Sequence, residues 1–279
     1  MSSVINFNGK FLTADTPIIG AESRALRYGD GLFETIKLHN KHIVHEELHF
    51  SRLFEGLTLL GFDLPKSITR ESLRESILLT AKKNNVENAA RIRLAFFRTN
   101  GGLYDPEHHR PNVLIQAWPL PPQCGTLNVN GLTTGVYNLA RKSCDAFSNL
   151  KSASHLPYVM AAMFAKKMKW NDAFVLNAFD RISDSSIANV FIIRQKKIYT
   201  PPLAEGCIAG ITRRFLLREL PQYGFDIEEK PLAISDIENA DECFLTNAIS
   251  GIRWVKEFQD KQFTNVMTKE LFEQFVVIG

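Results

Sequence analysis

Pro119-Leu120-Pro121-Pro122-Gln123-Cys124-Gly125 sets three prolines within four residues. Proline offers no N–H to a strand ladder and clashes inside a helix, so this stretch reads as a linker. It divides the chain into a first domain over 1–118, a linker over 119–125 and a second domain over 126–279. A length of 279 residues is enough for two cores of this size.

Upstream of the linker the pattern is α+β. Val4 to Phe7 and Lys10 to Thr13 flank Asn8-Gly9, a pair suited to a primed hairpin turn. Thr35 to Leu38 and His42 to Val44 flank Asn40-Lys41 as a second hairpin. From Glu46 the apolar positions Phe50, Leu53, Phe54, Leu57 and Leu60 take helical spacing, and Gly61 stops them. A second helix is predicted over Thr69 to Lys83, then strands over Arg91 to Phe97 and Val113 to Trp118. Downstream, strands are predicted near Leu127 to Val136, Ala173 to Leu176, Ala188 to Ile193 and Cys243 to Thr246. Helices are predicted over His155 to Lys169 and Thr212 to Leu220. The whole is α/β (α+β), an α+β first domain followed by an α/β second domain, with no internal repeat.

Composition narrows the function classes. With 45% hydrophobic and 23% charged residues the chain is an ordinary globular one, neither disordered nor fibrous. A formal charge of +3, with the signs interspersed, does not suggest a nucleic-acid partner. Cys124, Cys144, Cys207 and Cys243 form no C-x-x-C pair and read as core side chains of a reduced, cytoplasmic protein. No apolar run approaches a bilayer span and the first residues lack a basic-then-apolar leader, so neither membrane insertion nor export is expected.

His45-Glu46-Glu47-Leu48-His49 matches the H-E-x-x-H zinc pattern, which needs both imidazoles on one helix face. Here His42-Ile43-Val44 is a strand end, which leaves His45 in the turn before the helix, and no third ligand is in view; no metal is expected. Gly29-Asp30-Gly31 lacks the third glycine of a dinucleotide fingerprint, and neither a P-loop lysine nor a G-x-S-x-G elbow occurs. Three quieter features suit one cofactor. Gly206 to Thr212 is a small-residue loop opening into a helix, whose free N–H groups suit a phosphate. Lys151 sits between Phe147-Ser148-Asn149-Leu150 and Ser152-Ala153-Ser154, where a lysine can act as an amine nucleophile. Asp184 precedes a predicted strand. Taken alone, each feature reads first as a capped helix, a surface lysine or a turn residue.

Together with Arg27-Tyr28-Gly29-Asp30-Gly31-Leu32-Phe33-Glu34-Thr35, these segments give the chain a resemblance to the fold-type IV pyridoxal-phosphate enzymes, that is, the branched-chain and D-amino acid aminotransferases and the aminodeoxychorismate lyases. His49-Phe50-Ser51-Arg52-Leu53 resembles the H-x-x-R-L helix, and Leu150-Lys151-Ser152 the Schiff-base lysine. Asp184 to Phe191 resembles E-x-x-x-[SA]-N-x-F, Gly210-Ile211-Thr212-Arg213 the G-I-T-R loop, and Thr246-Asn247-Ala248-Ile249 the last cofactor turn.

The resemblance implies a D-amino acid aminotransferase-like fold of two domains with pyridoxal 5'-phosphate in the cleft between them, and a homodimer. Lys151 would hold the cofactor as an imine and then act as base. Arg52, Ile211, Thr212, Asn247, Ala248 and Ile249 would hold its phosphate, and Asp184 its ring nitrogen, where most members carry glutamate. Tyr28, Phe33 and Arg93 would face the substrate and favour an L-amino acid transaminase working with a 2-oxo acid. Leu156, where branched-chain enzymes carry a tyrosine, and Asn247-Ala248 point instead to a lyase that expels pyruvate to leave 4-aminobenzoate. A zinc hydrolase or a non-catalytic binding module would show no cofactor colour dependent on Lys151.

Overall fold

The structure is a computed structural model that describes residues 3–276. Its contacts divide the chain into Met1–Pro122 with Lys151–Ser154, and Gln123–Leu150 with His155–Gly279. The lysine segment therefore groups by its contacts with the first unit, although the sequence places it in the second domain.

In the first unit β1 (Val4–Phe7) and β2 (Lys10–Thr13) pair across Asn8 and Gly9. Their φ values of 51° and 83° are those a primed turn requires. After α1 (Arg24–Tyr28), absent from the sequence reading, β3 (Gly31–His39) and β4 (His42–Ile43) make the second hairpin. Asn40 and Lys41 turn it at φ 46° and 64°. α2 (Glu46–Leu59) and α3 (Arg70–Lys83) follow, the latter capped by the Thr69 hydroxyl, which accepts from Ser72 N at 3.2 Å. β5 (Ala89–Arg98) and β6 (Pro111–Pro119) complete an antiparallel sheet in the order β2-β1-β6-β5-β3-β4. Pro119 thus closes β6 rather than opening the linker. Ile36 and Leu38 of β3 pack with Phe50, Leu53 and Leu57 of α2 and Leu73 and Ile77 of α3. Alternate side chains of β3 therefore go to the helices and to the other face of the sheet.

Gly31 opens β3 where no side chain fits, since a Cβ there would lie 2.3 Å from Phe96 O and 2.9 Å from Phe97 Cβ. Gly31→Ala is expected to destabilise the fold by about 1–3 kcal/mol, because the backbone of the paired strand would have to move. A thermal melt of the variant at neutral pH measures it.

The second unit holds β7 (Leu132–Lys142), α4 (Leu156–Lys167), β8 (Asp172–Asn177), β9 (Ile182–Ser185), β10 (Asn189–Arg194) and β11 (Lys197–Thr200). Then come α5 (Ile211–Glu219), β12 (Ile227–Glu229), α6 (Ile234–Glu238), β13 (Glu242–Asn247), β14 (Gly251–Phe258), β15 (Lys261–Gln262) and α7 (Val266–Phe275). Its mixed sheet runs β12-β11-β10-β13-β14-β7-β8-β9, with β15 on β14.

Along β10, Val190 and Ile192 enter the core beside Ile237 of α6, while Phe191 and Ile193 enter another beside Leu216 of α5 and Leu271 of α7. The sheet is thus covered on both faces. The strand predicted over Leu127 to Val136 instead starts at Leu132. Asn128 is held in a turn, accepting Trp254 N at 3.0 Å on its side chain and Trp254 Nε1 at 2.6 Å on its carbonyl. Gly131 leaves that turn at φ 68°. No helix among the described residues is long and apolar enough to cross a membrane.

Candidate active site

In the first unit the site residues are built around β3. Phe33 N donates to Lys151 O at 3.0 Å and Ala153 N to Gly31 O at 2.8 Å, so the lysine segment lies along the start of the strand. The Lys151 ammonium stands 4.7 Å from the centre of the Phe33 ring. The Arg93 guanidinium, on the neighbouring β5, stacks on the same ring at 3.7 Å. Arg93 is half-buried with no ion pair among the described residues, and burial first, then Arg91, draws its pKa down. An anion would relieve both effects. Tyr28 ends α1 with its ring 5.8 Å from Tyr104, and Arg24 lies 5.0 Å over its face.

On the opposite face of β3, toward α2, Glu34 accepts from Arg52 Nε at 2.7 Å, Arg52 Nη2 at 2.5 Å and His49 Nδ1 at 2.6 Å. Residues 49 and 52 are three apart and share a helix face. His45, by contrast, is the N-cap at φ 55° and ψ 39°, ahead of the first helical turn, so the two histidines of H-E-E-L-H do not both lie within the helix.

Burial pushes the Glu34 carboxyl up, but Arg52 and His49 more than reverse this and hold it at about 2. The same burial takes His49 below its ordinary value despite Glu34. Because the folded pKa of Glu34 lies below its unfolded 4.5, its contribution is complete above pH 4.5 and lost as pH falls toward about 2. The loss is expected to be about 3 kcal/mol, read from thermal melts between pH 6 and 2.5. Melts with no slope below pH 4.5 would contradict it.

In the second unit Asp184 lies in β9, almost fully buried. Its Oδ2 accepts from Tyr158 Oη at 2.6 Å, Ile208 N at 2.9 Å and Lys142 Nζ at 3.3 Å, its Oδ1 from Asn189 Nδ2 at 2.8 Å. Four donors, one of them a cation, thus surround the carboxyl group, and Oδ1, with one donor, keeps acceptor capacity. Burial, then Asp184, pushes the Tyr158 hydroxyl pKa up, so it stays a donor.

Asn189 Nδ2 also donates to Ile208 O at 2.8 Å, and its Oδ1 lies 1.8 Å from where a Cβ on Gly210 would be. That glycine is the N-cap of α5 and gives no side-chain cap, so the N–H groups of Ile211 and Thr212 stay outside the helix's own hydrogen bonding. In the following turn Asn247 Oδ1 accepts from Ile249 N at 3.0 Å and Ser250 N at 2.8 Å. The hydroxyl of Thr246 just before it is buried without a partner. An uncapped helix N-terminus and an orphaned hydroxyl supply donors, and the carboxylate an acceptor, a combination that fits a phosphorylated pyridine.

Each predicted residue therefore stands in a described environment. In the first unit Arg52 joins Glu34, while Phe33, Arg93 and Lys151 meet at one ring. In the second, Asp184 sits in its own network, and Ile211, Thr212 and Asn247 to Ile249 line helix and turn backbone. Leu156 is 68% exposed, and it is Tyr158, two residues on, whose hydroxyl reaches the acid. The sequence assigned no role in the cofactor site to Glu34, His49, Lys142, Tyr158 or Asn189. The first two and Asn189 lie inside quoted motifs, but nothing local marks Lys142 or Tyr158.

The first unit holds a lysine on an aromatic ring, and the second a buried acid with cationic support and an open helix N-terminus, each a kind of group suited to a phosphorylated aldehyde cofactor. The family model for class IV aminotransferases matches residues 31–258, and the chain belongs to that family, whose cofactor is pyridoxal 5'-phosphate. It is 29% identical over 277 residues to a putative branched-chain-amino-acid aminotransferase of Methanocaldococcus jannaschii, covering 97% of this chain and 94% of that one. It is 26% identical to an aminodeoxychorismate lyase of Vibrio harveyi, covering 82% and 83%. Its fold matches the branched-chain aminotransferase of Thermoproteus uzoniensis, solved with norvaline, at a TM-score of 0.88, with 24% identity and 98% and 93% coverage.

Proposed function

We propose that the protein moves the amino group of an L-amino acid with an apolar, branched side chain to a 2-oxo acid in the cytoplasm. The observation that carries this reading is the stacking of Arg93 and the Lys151 ammonium on the single ring of Phe33, at 3.7 and 4.7 Å. It sets a cation suited to the substrate carboxylate beside an amine suited to take the proton from the substrate's α-carbon. Pyridoxal 5'-phosphate, when bound, supplies an aldehyde that condenses with amines and a ring that withdraws electrons from that carbon.

In this reading Lys151 holds the aldehyde carbon and then carries the proton. Arg52, the N–H groups of Ile211 and Thr212, and the turn at Asn247, Ala248 and Ile249 hold the phosphate ester. Asp184 keeps the ring nitrogen protonated, and Tyr28 and Arg93 orient the carboxylate over Phe33. The test is a panel of amino acids with 2-oxoglutarate. Absorbance that alternates between the aldehyde and amine forms of the cofactor supports the reading; no alternation with any donor defeats it.

A second reading, pyruvate expulsion from aminodeoxychorismate, is favoured by the exposed Leu156 and by the likeness to the Vibrio harveyi enzyme. Release of pyruvate without a second keto acid would establish it.

A homodimer is part of the same proposal. Leu156, Val159, Met160 and Met163 form a stripe at helical spacing along α4, each at least 40% exposed. Val159→Lys with Met163→Lys is expected to turn a sedimenting dimer into a monomer; an unchanged dimer would remove α4 from the interface.

A further inference from the structure

Glu34 has no part in the reading above, yet it is 2% exposed and its carboxylate accepts from two side chains of α2. Two nitrogens of Arg52 meet its two oxygens in a parallel fork, the geometry that fixes the plane of a guanidinium. An arginine on a helix otherwise keeps much of its rotamer freedom, which a ligand would have to remove on binding. Here the freedom is gone before any ligand arrives. His49 Nδ1 lies 2.6 Å from the same Oε2 that takes Arg52 Nη2, so the carboxylate is itself held from a second residue of the helix. The neighbouring residue, Phe33, holds the Lys151 carbonyl through its backbone N–H at 3.0 Å and lies under the ammonium. Adjacent residues of one strand thus set the lysine on one face and the arginine on the other.

We infer that Glu34, steadied by His49, is a positioning residue that orients Arg52 for the cofactor's phosphate ester and so sets the preference for phosphorylated over unphosphorylated pyridoxal. The inference rests on the reading of Arg52 as a phosphate ligand. Glu34 touches neither substrate nor cofactor; it acts through the arginine.

The test is the affinity of the cofactor-depleted protein for pyridoxal 5'-phosphate and for pyridoxal, by absorbance or fluorescence titration. Wild type is compared with Glu34→Gln, Arg52→Met and the double variant. Arg52→Met is expected to weaken the phosphorylated form by about tenfold to a hundredfold and pyridoxal by less than about threefold. Glu34→Gln is expected to weaken the phosphorylated form about tenfold and again to spare pyridoxal. The double variant is expected to bind no more weakly than Arg52→Met, because Glu34 has nothing to orient once the guanidinium is gone.

An equal loss for both ligands in Glu34→Gln would mark the carboxylate as merely structural and overturn the inference, as would an unchanged phosphorylated affinity or additive losses. If Arg52→Met itself keeps the wild-type ratio, the phosphate role of Arg52 falls and the inference with it. Failure confined to Glu34→Gln leaves that role standing. Should Glu34→Gln not fold, His49→Phe keeps the Glu34–Arg52 pair and removes only its support. A severalfold loss for the phosphorylated form with pyridoxal spared is expected there, and no such selectivity overturns the inference.

Discussion

Lys151→Ala is expected to purify colourless, to take no borohydride-fixed label on the peptide around position 151, and to turn over at least about a thousandfold more slowly than wild type. The size follows from losing two roles at once, the amine that holds the aldehyde and the base that moves the α-proton. The fold should survive. Lys151 O and Ala153 N are the groups bonded to β3, and both are backbone atoms that alanine keeps. Absorbance spectra, peptide mapping and single-turnover rates measure the three effects, with circular dichroism as the control. A coloured, active Lys151→Ala protein would end the assignment.

Asp184→Asn is expected to lower kcat/KM about a hundredfold to a thousandfold, since a neutral amide cannot hold a proton on the cofactor's ring nitrogen as an anion does. It also acts on stability. Tyr158, Ile208 N and Lys142 all donate to one oxygen and Asn189 to the other, so the new NH2 group must face a donor in either orientation. Lys142, itself almost buried, loses its counter-charge. Removing one member of a buried pair costs about 3–5 kcal/mol, which a thermal melt would show. A variant with wild-type kcat/KM would mean that Asp184 serves only to neutralise Lys142.

Much of the first unit was legible locally. Asn8-Gly9 and Asn40-Lys41 occupy the positive-φ turns they suggest, and the apolar spacing from Phe50 to Leu57 lies on the buried face of α2. Less of the second unit was legible. α7 begins where Met267 N and Thr268 N donate to Glu242, a carboxylate on β13 some 25 residues earlier, while the side chain of Asn265 at its N-cap makes no capping bond, so the partner that closes the helix start is not local in the sequence. The start of β7 is set by Asn128 and Trp254, which are 126 residues apart. β9 was not among the predicted strands, because Ser183, Asp184 and Ser185 carry weak strand propensity and are buried by their neighbours.

From the sequence alone came the elements with a local cause, the residue types able to do the chemistry, and the order of motifs that marks a fold-type IV pyridoxal-phosphate enzyme. Tertiary structure alone decided the partners: Glu34 for Arg52 and His49, Lys142 and Tyr158 for Asp184, one ring for Lys151 and Arg93. The reason is physical. Charge–charge and hydrogen-bond energies depend on distances of a few ångströms, and those are set only when strands and helices far apart in the chain have packed.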